Sequence, residues 1–245
     1  ANEDDLDRVS ELFFSLPDLE SLNLRGNDGI ALNLANVGNP PYLTTLQLSA
    51  TGLTTIEGIG QATKLKEFHF TENSVSGKFP EEIFSLTSME RLYMSFNEIT
   101  GTLPSRIGEL TDLREFYAYT NSMTGNLPIE LGNLLEIENL VVGMNQFEGT
   151  LPKELNKLTN LKEFSVYYNK MSGPMLDFSK VSKIEKFDLE GNQFTGTIPD
   201  TFLSGLDSTY IADSDNVITL HLADNAFTGE LPIGLSNIQN LYLDI

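Results

Sequence analysis

Thr100-Gly101-Thr102-Leu103-Pro104 recurs as Thr124-Gly125-Asn126-Leu127-Pro128, as Glu148-Gly149-Thr150-Leu151-Pro152 and as Thr195-Gly196-Thr197-Ile198-Pro199, with a variant at Ser172-Gly173-Pro174-Met175-Leu176. Each copy follows an Asn, at positions 97, 121, 145, 169 and 192, and each Asn closes a run of alternating leucine-like residues. A self-similar period of about 24 residues is the signature of a solenoid.

The same ladder extends to both sides. Its first turn is Leu16-x-x-Leu19-x-x-Leu22-x-Leu24-x-x-Asn27, its second ends at Thr51, its third at Asn73 and its ninth at Asn225. The intervals are 24, 22, 24, 24, 24, 24, 23 and 33 residues. Residues 16–245 therefore read as one repeat domain of about nine turns, with an incomplete tenth holding Leu235, Ile238, Leu241 and Leu243. Those apolar residues would leave an edge that a packing partner or further repeats would cover. Ahead of the repeats, residues 1–15 read as a capping helix: Leu6, Val9 and Phe13 recur at helical spacing among Asp4, Asp5, Asp7 and Glu11.

The spacing also dictates the physics of one turn. Leu-x-Leu has the period of a strand, so the leucines point inward and the residues between them outward. The Asn stands where the strand ends and the chain bends inward. Its amide both donates and accepts, so it can bridge neighbouring turns. That gives a structural ladder of Asn27, Asn73, Asn97, Asn121, Asn145, Asn169, Asn192 and Asn225. Gly then supplies the bend and Pro opens the outer segment.

Asn-x-φ-[Thr/Ser]-Gly-x-[Leu/Ile]-Pro resembles the plant-specific class of leucine-rich repeat, found in receptor-kinase ectodomains, polygalacturonase inhibitors and many protist proteins. The resemblance covers residues 16–245, and the full Gly-Pro signature recurs from turn three onward. It implies an α/β solenoid, a right-handed curved superhelix with a parallel concave sheet and 3₁₀ or short helices on the convex side. It also implies a non-catalytic module that binds proteins or peptides outside the cell or at its surface. Two departures stand out: plant members usually carry cysteine-paired caps, whereas this chain has no Cys, and Gly52-Leu53-Thr54-Thr55-Ile56 lacks the Gly-x-φ-Pro element.

Composition narrows the partner. A net charge of −20 argues against nucleic acid and anionic membrane surfaces. No apolar run reaches the roughly 18–20 residues of a membrane span. The lack of Cys and of N-x-[Ser/Thr] sites points, against the family resemblance, to an intracellular or organelle-lumen alternative.

Outward strand positions lie six, four, two and one residues before each ladder Asn. Across turns four to seven they bring together Tyr93, Phe96, Tyr117, Tyr119, Val141, Met144, Tyr167 and Tyr168. Around them stand Glu67, Glu72, Glu115, Glu163, Asp188 and Glu190, with His69 and Arg91. The inward slots are already filled, so core packing does not require these aromatics, and a contiguous exposed apolar patch marks a binding face. The plain structural alternative is that Tyr is a good strand residue tolerant of solvent. The acidic rim suggests a protein or peptide partner with basic residues at the contact. Tyr with carboxylates also suits a carbohydrate.

Other chemistry is thinly supported. His69 and His221 stand six turns apart, no nucleophile elbow or phosphate loop occurs, and no cofactor is implied. Glu115 and Glu163 would lie on an open face, poorly placed for burial to raise a carboxyl pKa. The Ser204–Asn216 insertion has Asp213 and Asp215 but not the Gly and distal Glu of a calcium loop, and reads as solvated. A row of hydroxyls (Thr54, Ser76, Thr100, Thr124, Ser172, Thr195, Thr228) suggests a surface or assembly role, or ice binding, unless the Thr-Gly bend itself selects Thr.

Overall fold

The computed structural model describes residues 12–28, 32–213 and 215–245. Most of the expected capping helix, including Leu6 and Val9, lies outside the described residues; residues 12–14 are helical. Beyond it the chain winds through two parallel sheets, one of ten strands and one of seven.

The ten-stranded sheet takes one strand from every turn, from Ser21–Asn23 through Glu67–His69, Arg91–Tyr93, Glu115–Tyr117, Asn139–Val141, Glu163–Ser165 and Lys186–Asp188 to Leu241–Asp244. The middle residue of each three-residue strand is apolar and buried, as with Phe68, Leu92, Phe116, Leu140, Phe164 and Phe187. These residues and the apolar ones two places on (Phe70, Met94, Ala118, Val142, Val166 and Leu189) belong to one continuous core from Phe14 to Ile238. On the far side, Pro80, Pro104, Pro128, Pro152 and Pro232 each immediately precede a 3₁₀ helix, as a residue with fixed φ and no N–H suits the start of a helical segment.

The Asn ladder closes each turn. Asn145 Oδ1 accepts from the Met123 N–H at 3.0 Å, in the turn before. Its Nδ2 donates to the carbonyls of Ala118 at 3.0 Å, in that same earlier turn, and of Val142 at 3.2 Å, in its own. Asn73, Asn97, Asn121, Asn169, Asn192 and Asn225 repeat the pattern. Asn27 is exposed and, among the described residues, donates to Leu24 and Arg25 of its own turn.

The seven-stranded sheet is not foreseen by the sequence reading, which puts only 3₁₀ or short helices beside the concave sheet. It runs from Ser76–Lys78 through Glu98–Thr102, Ser122–Asn126, Gln146–Gly149, Lys170–Pro174 and Gln193–Gly196 to Ala226–Phe227. Its material is the Asn-x-φ-Thr-Gly stretch itself. In each of its five inner strands one apolar residue (Ile99, Met123, Phe147, Met171, Phe194) is buried, and the hydroxyls of Thr100, Thr124, Ser172 and Thr195 lie on the opposite, outer side.

The insertion is only partly the solvated loop expected. Ser208–Ile211 is a short helix capped by Asp207, whose Oδ1 accepts from the N–H groups of Thr209 and Tyr210 at 2.8 and 3.2 Å. Leu206, Tyr210 and Ile211 pack on the core, which is why the segment docks, while Asp213 and Asp215 are exposed. At the last turn Leu235 and Ile238 are buried, and Leu241–Asp244 pairs with Ile218–His221.

The ladder predicts a graded response. Asn145→Ala strands a backbone donor and carbonyls inside the molecule and should cost roughly 2–4 kcal/mol, whereas Asn27→Ala should cost under about 1 kcal/mol. Urea unfolding of the two variants checks this; equal losses would contradict the bridging role.

Candidate functional site

Parallel register turns the outward positions into columns. Glu67, Arg91, Glu115, Asn139, Glu163 and Lys186 lie in line across six adjacent strands, and His69, Tyr93, Tyr117, Val141, Ser165 and Asp188 form the next column. Strand neighbours sit about 4.8 Å apart, so rings in one column can stack. They do: the His69 and Tyr93 ring centroids are 4.0 Å apart and those of Tyr93 and Tyr117 5.2 Å, both nearly parallel.

The carboxylates hold this stack in place. Tyr93 donates its hydroxyl to Glu115, and Tyr117 donates to Glu163 at 3.2 Å while accepting from Asn139 at 3.0 Å. Burial, reinforced by these carboxylates, pushes both phenols above the ordinary tyrosine range. Glu67 lies 2.7 Å from His69 Nε2 and 3.0 Å from Arg91 Nε. Burial opposes its ionisation, but those two partners outweigh it and hold the carboxyl below its usual range. Lys186 reaches Glu163 at 3.6 Å and Asp188 at 3.4 Å.

Two expected surface residues are not on the surface. Val141 is 4% and Asp188 5% exposed. Val141 occupies a column whose flanking positions carry Tyr117 and Ser165, and its short side chain sinks between turns. Burial raises the Asp188 carboxyl, against the pull of Lys186. The acidic rim is likewise less free than expected, because Glu67, Glu115, Glu163 and Glu190 all hold partners within the sheet. One place further toward the strand starts, Lys66, Glu90, Arg114, Glu138 and Lys162 alternate in sign and pair along the column.

The residue before each ladder position has a property the sequence reading overlooked. Gly26, Ala50, Glu72, Phe96, Thr120, Met144, Tyr168, Gly191 and Asp224 all have positive φ, between +47° and +58° for those other than Gly. Each non-Gly residue there costs about 1–2 kcal/mol. The conformation lets the N–H of Phe96, Thr120, Met144 and Tyr168 continue the ladder to the next turn's carbonyl. It also holds the side chain out: Phe96, Met144 and Tyr168 are 43, 45 and 47% exposed. Gly26, Gly191 and Asp224 at equivalent places were the available signal.

These side chains join with Tyr119 and Tyr167 into a ridge. Phe96 meets Tyr119 edge-on at 5.1 Å, Thr120 Oγ1 lies 3.4 Å from Met144 Sδ, and Tyr167 meets Tyr168 edge-on at 5.8 Å. Tyr168 donates to Glu190 at 2.6 Å, and that bond raises its phenol pKa. Two glycines seat the rings. A Cβ on Gly143 would fall 2.1 Å from the Tyr167 ring, and one on Gly191 would fall 2.3 Å from that of Tyr168. Beside the ridge, Ser49, Thr71 and Ser95 floor a hollow of about 270 Å³ bounded by Arg25, His69 and Tyr119. The Ser95 hydroxyl is buried there with no hydrogen-bond partner. Among the described residues no cluster of His, Asp or Glu is arranged to hold a metal.

The phenols give a test. Raised pKa values mean that Tyr93 and Tyr117 stabilise the fold below about pH 10 and that this contribution is lost as pH rises through their folded values. Absorbance titration of phenolate should show a late phase that Tyr93→Phe and Tyr117→Phe each diminish. All eight tyrosines titrating together near pH 10 would contradict it.

Similarity to known proteins accords with this geometry. The family model of the leucine-rich repeat region matches residues 14–207. No curated protein sequence matches the chain. Among solved structures, the plant peptide hormone receptor RGFR1 in complex with RGF2 is 28% identical with a TM-score of 0.80, over 94% of this chain and 36% of that one. A TDR receptor is 29% identical with a TM-score of 0.81, over 94% of this chain and 39% of that one. The Arabidopsis receptor kinase HAESA, in complex with the peptide hormone IDA and the co-receptor SERK1, is 27% identical with a TM-score of 0.78, over 96% of this chain and 39% of that one. The chain thus spans under two-fifths of each of these solved chains. It belongs to the leucine-rich repeat family, as a non-catalytic module of the plant-type class.

Proposed function

We propose that this module binds a peptide or an extended protein segment across turns three to eight of the concave face. The observation that carries the reading is the ridge of Phe96, Tyr119, Met144, Tyr167 and Tyr168. Three of its large side chains are held in solvent by a backbone conformation that costs energy, and the core gains nothing from them. Such rigid aromatic and thioether groups gain most when a partner covers them. Peptide complexes among the similar solved structures, RGFR1 with RGF2 and HAESA with IDA, support the same reading.

The stacked column of His69, Tyr93 and Tyr117 forms the wall beside the ridge, and the hollow floored by Ser95 takes a polar group of the partner. Because the inner carboxylates already have partners, basic residues of the ligand meet Glu72, which is exposed and has no ion pair among the described residues, and are drawn in by the net charge of −20. The outer surface of the cell, where receptor ectodomains stand, is the proposed location.

Capture from native extract, followed by calorimetry with the purified ligand, tests the site. Tyr119→Ala with Tyr167→Ala should abolish binding while moving the melting temperature by only a few degrees; unchanged affinity rejects the face. Gly143→Ala should weaken binding about tenfold or more by displacing the Tyr167 ring. Wild-type affinity in that variant would show that the seat of Tyr167 does not matter.

A further inference from the structure

The second ladder interval is 22 residues where its neighbours are 24. Turn two is therefore two residues short in the stretch that from turn three onward forms the seven-stranded sheet. The consequence is local and visible. Ser74 donates its N–H to the Leu53 carbonyl at 2.9 Å, so the small sheet begins to pair with turn two. The chain then turns inward at Ile56, which is 2% exposed, before a strand can form.

Ser76–Lys78 is left as the terminal strand, paired only with Glu98–Thr102 of the following turn. On that paired side, the carbonyls of Val75 and Gly77 accept from the Glu98 N–H and the Thr100 hydroxyl, each at 2.9 Å. Backbone groups alternate along a strand, so those of Ser76 and Lys78 point, like the Ser74 N–H, toward the missing strand. A cleft of about 230 Å³ takes its place, walled by Thr55, Ile56 and Glu57 on one side and by Pro80, Glu81 and Glu82 on the other. Lys78, the sort of residue that normally guards an edge, carries its stem onto the next turn, where its Cγ lies 3.5 Å from the site of a Cβ on Gly101.

We propose that this cleft is a second recognition site, independent of the concave face, which takes an extended peptide segment bearing Lys or Arg as an added strand. An extended chain presents N–H and C=O groups to one side at every second residue, matching the spacing from Ser76 to Lys78. Ile56 and Val75, each 2% exposed, give the cleft an apolar floor. Charge selects the occupant. Among the described residues Glu57 has no ion pair, and Glu81 has only an exposed one to Arg106 at 3.4 Å. Glu82 accepts from the Gly60 N–H at 3.0 Å and adds its charge to the same wall. Three carboxylates against Lys78 leave the cleft acidic.

The probe is a displayed library of random linear octapeptides, panned on the wild-type chain with counter-selection on a chain whose edge is closed by inserting Gly-Lys between Thr55 and Ile56. Enriched peptides should be extended, β-branched and basic, and should slow hydrogen exchange at the Ser76 and Lys78 amides. Their affinity should fall at least tenfold with Ser76→Pro, which removes an edge donor, and with Glu57→Lys. It should be unchanged by Tyr119→Ala with Tyr167→Ala, which separates this site from the concave one. No enrichment, binding that survives both Ser76→Pro and Glu57→Lys, or binding lost with the tyrosines would overturn the proposal.

Discussion

Every turn of this solenoid must bring its backbone inward from a strand, and the groups exposed by that bend need partners away from water. The ladder Asn supplies them: one amide accepts from the turn before and donates to carbonyls of both turns. A buried N–H or C=O left alone costs more than a made hydrogen bond returns, so the bend is stable only where such an amide, or Thr51 in turn two, can stand in it. The interval between these residues then fixes how much chain each turn has for its outer path. From turn three to turn six, where it is 24, each turn has room for a strand of the small sheet and a 3₁₀ helix; in turn two, where it is 22, that strand is missing.

Because the inward column and the Asn satisfy the fold, the outward columns answer to other demands. Turns three to eight use them in two distinct ways. The column that begins at Glu67, together with the charged column one place before it, is occupied with itself: acids hold bases or phenols, and most of its charge is locally neutralised. The ridge that begins at Phe96 is not. Its members touch one another edge-on, but Phe96, Met144 and Tyr168 expose nearly half their surface. The paired column thus positions a surface, and the ridge presents it.

What the sequence discloses and what it hides divide along the same line. The period, the buried leucines and the place of each Asn follow from residue type and spacing, since a one-dimensional stack repeats one local solution. The small sheet is less visible because Asn-x-φ-Thr-Gly carries a single apolar residue per strand, too few to declare an alternation. Counting outward positions located the tyrosines but not their exposure, which depends on what stands in the next turn. Val141 and Asp188 are buried for that reason, and Tyr167 is seated because residue 143 is Gly. Positive φ at Phe96 or Tyr168 is invisible in those residues and appears only by analogy with Gly26, Gly191 and Asp224 in the same register.

The ridge, and not the hydroxyl-bearing outer face of the small sheet beside it, is the proposed contact for the concave-face partner. A photoreactive side chain in place of Met144 and, in a separate chain, of the exposed Gln146 two residues on distinguishes the two faces directly. On irradiation with the captured ligand, a covalent adduct is expected from position 144 and none from 146. An adduct from 146 alone would contradict it.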